Sequence, residues 1–198
     1  MMQNLTAANQ LTILRMLLIP AFVILLMYGY RGWALITFLT AGATDMLDGL
    51  IARKTGQKTE LGAWLDPMAD KLLLVTMFVM LTLPEIGSAN RLPLWFTVLV
   101  ISRDVAIVAT VAVFNLAVGP RTFRPSIFGK IATATYIITG VITLYFNYLD
   151  RASGVVTAFV YASLVITLIS AGHSLLQVIR LTNSNSKLET SNSKRQIH

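Results

Sequence analysis

The sequence predicts an all-α, polytopic membrane protein: a bundle of six transmembrane helices, with a short interfacial helix at the N-terminus. Three observations predict it. Hydrophobic residues fill 55% of the 198 positions and charged residues only 13%, and mean hydropathy is +0.68, well above that of a soluble domain. Apolar runs recur that are long enough to cross a hydrocarbon core of about 30 Å, which takes about 20 helical residues. Basic residues concentrate in alternate connections, as in a chain that crosses repeatedly and keeps one set of loops in the cytoplasm.

The elements follow in chain order. "MMQNLTAANQ" suits the short interfacial helix. Leu11 to Gly29 is the first span. It is too long for a secretory signal, has no basic residues ahead of it and no small-residue cleavage site behind it, so it is expected to stay in the mature protein. Trp33 to Ala52 and Leu61 to Leu83 are the second and third spans, and both contain acidic residues. Pro93 to Val118, Ile127 to Asn147 and Val155 to Ile179 complete the six. Trp33, Trp64 and Trp95 lie near the expected interfaces and read as belt residues. Connections are short and no internal repeat is visible, so residues 1–180 form one domain. The Ser/Asn-rich stretch 181–198 lacks periodicity and is expected to be a disordered cytoplasmic tail.

A net charge of +7 raises the question of nucleic acid, and the placement of the cations argues against it. Arg53, Lys54 and Lys58, then Arg121, Arg124 and Lys130, then Arg180, Lys187, Lys194 and Arg195 occupy three segments. The alternate connections hold Arg31, Arg91 and Arg151. This distribution puts both termini in the cytoplasm and accounts for the charge by topology and anionic-lipid contact. Cysteine is absent, so disulfides and thiolate metal sites are excluded and any metal needs oxygen or histidine ligands. His173, deep in the sixth span, reads as a packed residue rather than a ligand.

The chemistry-bearing stretch is "TDMLDGLIARKTGQKTELGAWLDPMADKL", Thr44 to Leu72. Asp45 and Asp48 share a face near the cytoplasmic end of the second span, and Asp66 and Asp70 share one at the start of the third. Four carboxylates at one depth repel strongly unless cations hold them ionised. Only Arg53, Lys54 and Lys71 are local to the acids, and Lys71 points away from Asp70 around the helix. Bound divalent metal resolves the conflict. An all-oxygen set suits Mg²⁺ or Mn²⁺, and two helices carrying two acids each can hold a pair of ions about 3.5–4 Å apart. Gly49 and Gly62 fit close helix packing or substrate approach, and the fork of Arg53 suits a diphosphate. Because intramembrane acids are costly, a purely structural role for all four is improbable. The competing functional class is an acid-lined ion or proton-coupled transporter, disfavoured because the acids gather at one membrane face instead of lining a path across it.

These residues carry a family resemblance. The stretch resembles the CDP-alcohol phosphotransferase signature D-x-x-D-G-x-x-A-R-x8-G-x3-D-x3-D at every fixed position: Asp45, Asp48, Gly49, Ala52, Arg53, Gly62, Asp66 and Asp70. Asn9, Leu11, Thr12, Arg15 and Pro20 before it, and "LDPMADKLL" and "ISRD" after it, extend the likeness. The resemblance implies a transferase of phospholipid biosynthesis that moves a phosphatidyl group from CDP-diacylglycerol to an alcohol and releases CMP. It implies two metal ions on Asp45, Asp48, Asp66 and Asp70, with Asp70 also the general base. It implies a CDP site shaped by Asp48, Gly49, Ala52, Arg53 and Gly62, a homodimer, and residence in a bacterial inner membrane with the active site facing the cytoplasm.

Two acceptor classes fit the resemblance. Phosphatidylglycerophosphate synthases use glycerol 3-phosphate, whose phosphate needs a basic pocket, and Arg103, Arg121, Arg124 and Lys130 are the available cations. CMP-forming cardiolipin synthases use phosphatidylglycerol and resemble this chain in "ISRD". The first group tends to carry Gly-Lys-x-Lys-Thr in the fifth helix, where this sequence has Gly129-Lys130-Ile131-Ala132-Thr133. Glycerol 3-phosphate remains the expected acceptor. Arg103 beside Asp104 reads equally well as an intramembrane ion pair, and Arg121 and Arg124 also suit cytoplasmic anchoring.

Overall fold

The computed structural model describes the backbone at residues 7–55, 60–118 and 127–172, and side chains at residues 10–45, 68–109, 127 and 129–172. Apart from a short 3-10 helix at Pro84–Ile86, every regular element among these residues is an α-helix. They are α1 (Ala7–Met27), α2 (Arg31–Thr55), α3 (Glu60–Thr82), α4 (Leu94–Val118) and α5 (Ile127–Tyr148), with α6 described over Gly154–Gly172. Gln10–Met27, Gly129–Tyr148 and Gly154–Gly172 are long and apolar enough to cross a membrane. Each of the six expected spans overlaps a helix, and among the described residues three of those helices are apolar enough by themselves. α2 and α3 carry their charged residues within the helix, which lowers the apolar content that a span requires. The expected tail at 181–198 and His173 lie outside the described residues, as does most of the expected N-terminal interfacial helix.

The turns dictate how the helices return on one another. α1 ends at Gly29, whose φ of +78° is open to glycine at little cost. The Gly29 N–H donates to the Leu26 carbonyl (3.0 Å) and the Tyr30 N–H to that of Leu25 (2.8 Å), the paired bonds of a Schellman cap. α2 starts at Arg31 and runs back along α1. α5 closes the same way, with Asp150 N–H on the Asn147 carbonyl (3.2 Å) and Arg151 N–H on that of Phe146 (3.1 Å). Here a non-glycine residue, Asp150, holds the left-handed conformation at φ +51°. Arg31 offsets that strain, since its guanidinium pairs with Asp150 (2.5 Å) and donates to the Gly87 carbonyl (2.8 Å).

Asn90 and Asn147 knit the remaining connections at this end. The Asn90 N–H donates to Asn147 Oδ1 (2.7 Å), Asn147 Nδ2 to the Asn90 carbonyl (3.0 Å), and the Ser153 N–H to Asn90 Oδ1 (2.8 Å). Both side chains are buried, where unmet polar groups are costly, and the knot satisfies them. The core between the helices is built on Phe22, Phe38, Met77, Phe78, Phe96 and Tyr136. Buried hydroxyls are satisfied within it. Thr139 meets Ser163 (2.8 Å) and Tyr136 meets Thr167 (2.5 Å) between α5 and α6, while Thr82, Thr143 and Thr167 each donate to the carbonyl one turn back, which spares a hydroxyl exposure to lipid. α1 lies along α2 and also against α3, whereas among the described residues α2 and α3 meet each other only slightly.

Candidate active site

Three helices bring their polar residues to one level. Arg15 on α1 and Asp45 on α2 each stand fourteen residues from an end of the Gly29–Arg31 turn, about 21 Å along each axis at about 1.5 Å per residue. Asp70 stands twelve residues before the end of α3 at Thr82, about 18 Å from the same end of the bundle. The match in depth has a direct result: Arg15 Nη2 lies 3.3 Å from Asp45 Oδ1, and Arg15 Nη1 donates to Asp70 Oδ1. One guanidinium thus holds a carboxylate from each of the two acid-bearing helices. An arginine inside an apolar helix is costly to insert, about 3 kcal/mol at the centre of a span, and the two acids offset that cost. Arg15 is wholly buried while the Asp45 and Asp70 side chains are 45% and 38% exposed. The guanidinium therefore lies on the protein side of the carboxylates, and their other side is open.

Among the described side chains the cation at the acidic cluster is Arg15, from a helix distant in sequence, while the side chains of Arg53 and Lys54 lie outside the described residues. Lys71 does turn away from Asp70, and its Nζ lies 3.5 Å from Asp104 Oδ2 on α4. Asp48, Gly49, Ala52 and Arg53 lie on α2, and Gly62 and Asp66 on α3, but their side chains are outside the described residues. Among the described side chains there is no cluster of three acidic or imidazole groups.

A second polar group links α3, α4 and α5. Arg103 pairs with Asp104 (2.9 Å), donates to the Gly129 carbonyl (3.2 Å) and lies over the Tyr136 ring at 5.9 Å. Its side chain is only 11% exposed. The ion pair expected for Arg103 and Asp104 is present, and the Arg103 bond to the Gly129 carbonyl also fixes the first turn of α5, where Lys130 is exposed. Arg121 and Arg124 lie outside the described residues. A cleft of about 520 Å³, lined by Arg31, Trp33, Tyr148 and Asp150 among others, opens at the opposite end of the bundle, away from the carboxylates.

Residues 5–170 match the family model of CDP-alcohol phosphatidyltransferase. The chain belongs to the CDP-alcohol phosphatidyltransferase family. It is similar to the "Probable phosphatidylglycerophosphate synthase" of Mycobacterium tuberculosis, 34% identical over 83% of this chain and 77% of the relative. It is similar to the CDP-diacylglycerol–glycerol-3-phosphate 3-phosphatidyltransferase of Haemophilus influenzae, 33% identical over 79% of this chain and 85% of the relative. Human cardiolipin synthase (CMP-forming) is 32% identical over 88% of this chain and 64% of that protein. The chain is thus a transferase of a phospholipid-biosynthesis family that uses CDP-alcohol substrates and an alcohol acceptor, and that is generally dependent on a divalent metal. The described residues of this phosphatidyltransferase suit such an ion. Asp45 and Asp70 converge from two helices, present oxygen ligands, and are partly exposed on the side away from Arg15, which is the donor chemistry of a hard divalent cation.

Proposed function

We propose that this protein transfers a phosphatidyl group from CDP-diacylglycerol to glycerol 3-phosphate, releasing CMP and forming phosphatidylglycerophosphate. The observation that carries the proposal is the meeting of Asp45 and Asp70 on one buried guanidinium, because it joins the two halves of the acidic motif in space. Asp45, Asp48, Asp66 and Asp70 hold two Mg²⁺ or Mn²⁺ ions, which supply electrostatic stabilisation of the phosphoryl oxygens when bound. Gly49, Ala52, Arg53 and Gly62, with Asp48, shape the CDP site.

Asp70, reachable from outside at 38% exposure, takes the proton from the acceptor hydroxyl. The acceptor oxygen then bonds to the lipid-bearing phosphorus in line with the phosphorus–oxygen bond to CMP, which breaks as CMP leaves with the electron pair. Positioning and charge stabilisation account for most of the rate in such a transfer. Lys130, Arg121 and Arg124 receive the acceptor phosphate. Arg103 belongs to the same pocket and ties the Gly129-Lys130 turn to α4. All six helices cross a bacterial inner membrane, and the site faces the cytoplasm, where an acylated donor and a soluble acceptor can both reach it. The functional unit is a homodimer.

A second reading has its own support: Ala132 stands where a second lysine is expected for glycerol 3-phosphate, and the human relative is a cardiolipin synthase. Phosphatidylglycerol would then be the acceptor. Product analysis decides between them. Purified protein given labelled CDP-diacylglycerol with one acceptor at a time is expected to form phosphatidylglycerophosphate with glycerol 3-phosphate and no cardiolipin with phosphatidylglycerol. Cardiolipin as the sole product would transfer the assignment to the second acceptor, and no lipid product with either would remove both.

A further inference from the structure

We infer that Arg15 is a positioning residue of the metal site, setting the spacing of the α2 and α3 carboxylates from beneath. The inference rests on the reading of Asp45 and Asp70 as metal ligands and adds a part that lies outside the acidic motif. Three observations carry it. The Arg15 side chain has no solvent exposure, while the two carboxylates it holds are each more than a third exposed. Its two terminal nitrogens divide between the acids, Nη2 to Asp45 and Nη1 to Asp70, so a planar fork of fixed width sets the separation of the two oxygens. Among the described residues α2 and α3 touch each other only slightly, while α1 lies against both, so the helix that carries Arg15 is the one packed on both acid-bearing helices.

An ion arriving at the exposed side would meet carboxylates already oriented by the buried cation. Outer partners that orient metal ligands are commonly worth a factor of about 10–100 in metal affinity. The alternative, in which the guanidinium stands in for the ion and must be displaced, predicts the opposite sign on removal of Arg15.

The test is Mn²⁺ binding by electron paramagnetic resonance, using the full-length protein in detergent without lipid substrate. Wild type is expected to bind Mn²⁺ and to show the exchange-coupled signal of paired ions, and Asp45→Asn and Asp70→Asn are expected to weaken binding. Arg15→Gln should weaken Mn²⁺ affinity by about tenfold or more and alter or abolish the coupled signal. Arg15→Lys, which keeps the charge but loses the fork, should bind more tightly than Arg15→Gln yet still show an altered coupled signal. It also serves if the glutamine variant does not fold. Unchanged affinity and signal in a folded Arg15 variant would reduce Arg15 to a helix anchor, and tighter binding would make it a competitor of the ion. Either result would overturn the inference while leaving the acidic site intact. Failure of wild type to bind Mn²⁺ would instead overturn the site reading.

Discussion

At the scale of single residues, the site is governed by what a membrane does to charge. Arg15 is wholly buried on an apolar helix and survives there because two acids meet it. In the proposed function Asp70 has two duties, as ligand and as base. Asp70→Asn is expected to lower CMP release at least 100-fold while Mn²⁺ binding is only partly weakened, since one ligand oxygen remains and the base is gone; single-turnover CMP release beside a metal titration checks both. Lys130→Ala should raise the apparent KM for glycerol 3-phosphate about tenfold, with the KM for CDP-diacylglycerol little changed. Equal effects on both substrates would return Lys130 to an anchoring role. The acids were legible in the sequence because their spacing is fixed and their cost in a membrane is high. The duty of Arg15 was not, although a lone arginine inside the first apolar run was a visible signal: a cation there must find an acid, and only three-dimensional packing says which. Arg103 was legible as one half of a pair with Asp104, but its contacts to the Gly129 carbonyl and the Tyr136 ring depend on how α4 meets α5.

At the scale of elements, two contacts hold the bundle that carries the site. Gly140 on α5 faces Met77 on α3 so closely that an added Cβ would lie 2.1 Å from Met77 Cε and 2.3 Å from Sδ, and Met77 is wholly buried. Close helix approach at a small residue is a usual solution inside membranes. Gly140→Ala is therefore expected to lower thermal stability in detergent, and Met77→Ala in the same chain should recover part of the loss, a coupling that a double-mutant cycle measures. Additive losses would mean that α3 and α5 do not press together there. The second contact is the Asn90–Asn147 knot. Asn147→Ala leaves the buried backbone N–H and carbonyl of Asn90 without these partners, which costs about 1–3 kcal/mol and should lower the melting temperature by about 5 °C. CMP release at low temperature should stay near wild type, because the knot lies at the end of the bundle remote from Asp45 and Asp70. Helix positions could be read from apolar length alone. The knot could not, because asparagines in short connections look like ordinary turn residues until the turns are brought together.

At the scale of the whole molecule, the fold places one polar cluster at the level of Asp45 and Asp70 and a separate polar cap around Arg31, Asn90, Asn147 and Asp150 at the other end. If all six helices cross the bilayer, Ala89 and Ala152 must be reached from one side and Lys130 from the other. The absence of cysteine makes this directly testable: Ala89→Cys and Ala152→Cys should label from outside intact cells, and Lys130→Cys only after permeabilisation. Labelling of all three from one side would contradict the six-span arrangement. That the chain is a helical membrane protein was legible from hydropathy. Whether α2 and α3 cross was less so, because the acids of the proposed metal site also reduce the apolar content on which a span is recognised. Metal-dependent phosphatidyl transfer by the carboxylates gathered from α2 and α3 is tested most directly by CMP release from CDP-diacylglycerol by the purified protein with glycerol 3-phosphate. Wild type should release CMP with Mg²⁺ or Mn²⁺, lose that activity in chelator and regain it when the ion is restored, while Asp70→Asn stays silent throughout. CMP release that persists in chelator, or that survives in Asp70→Asn, would contradict the account.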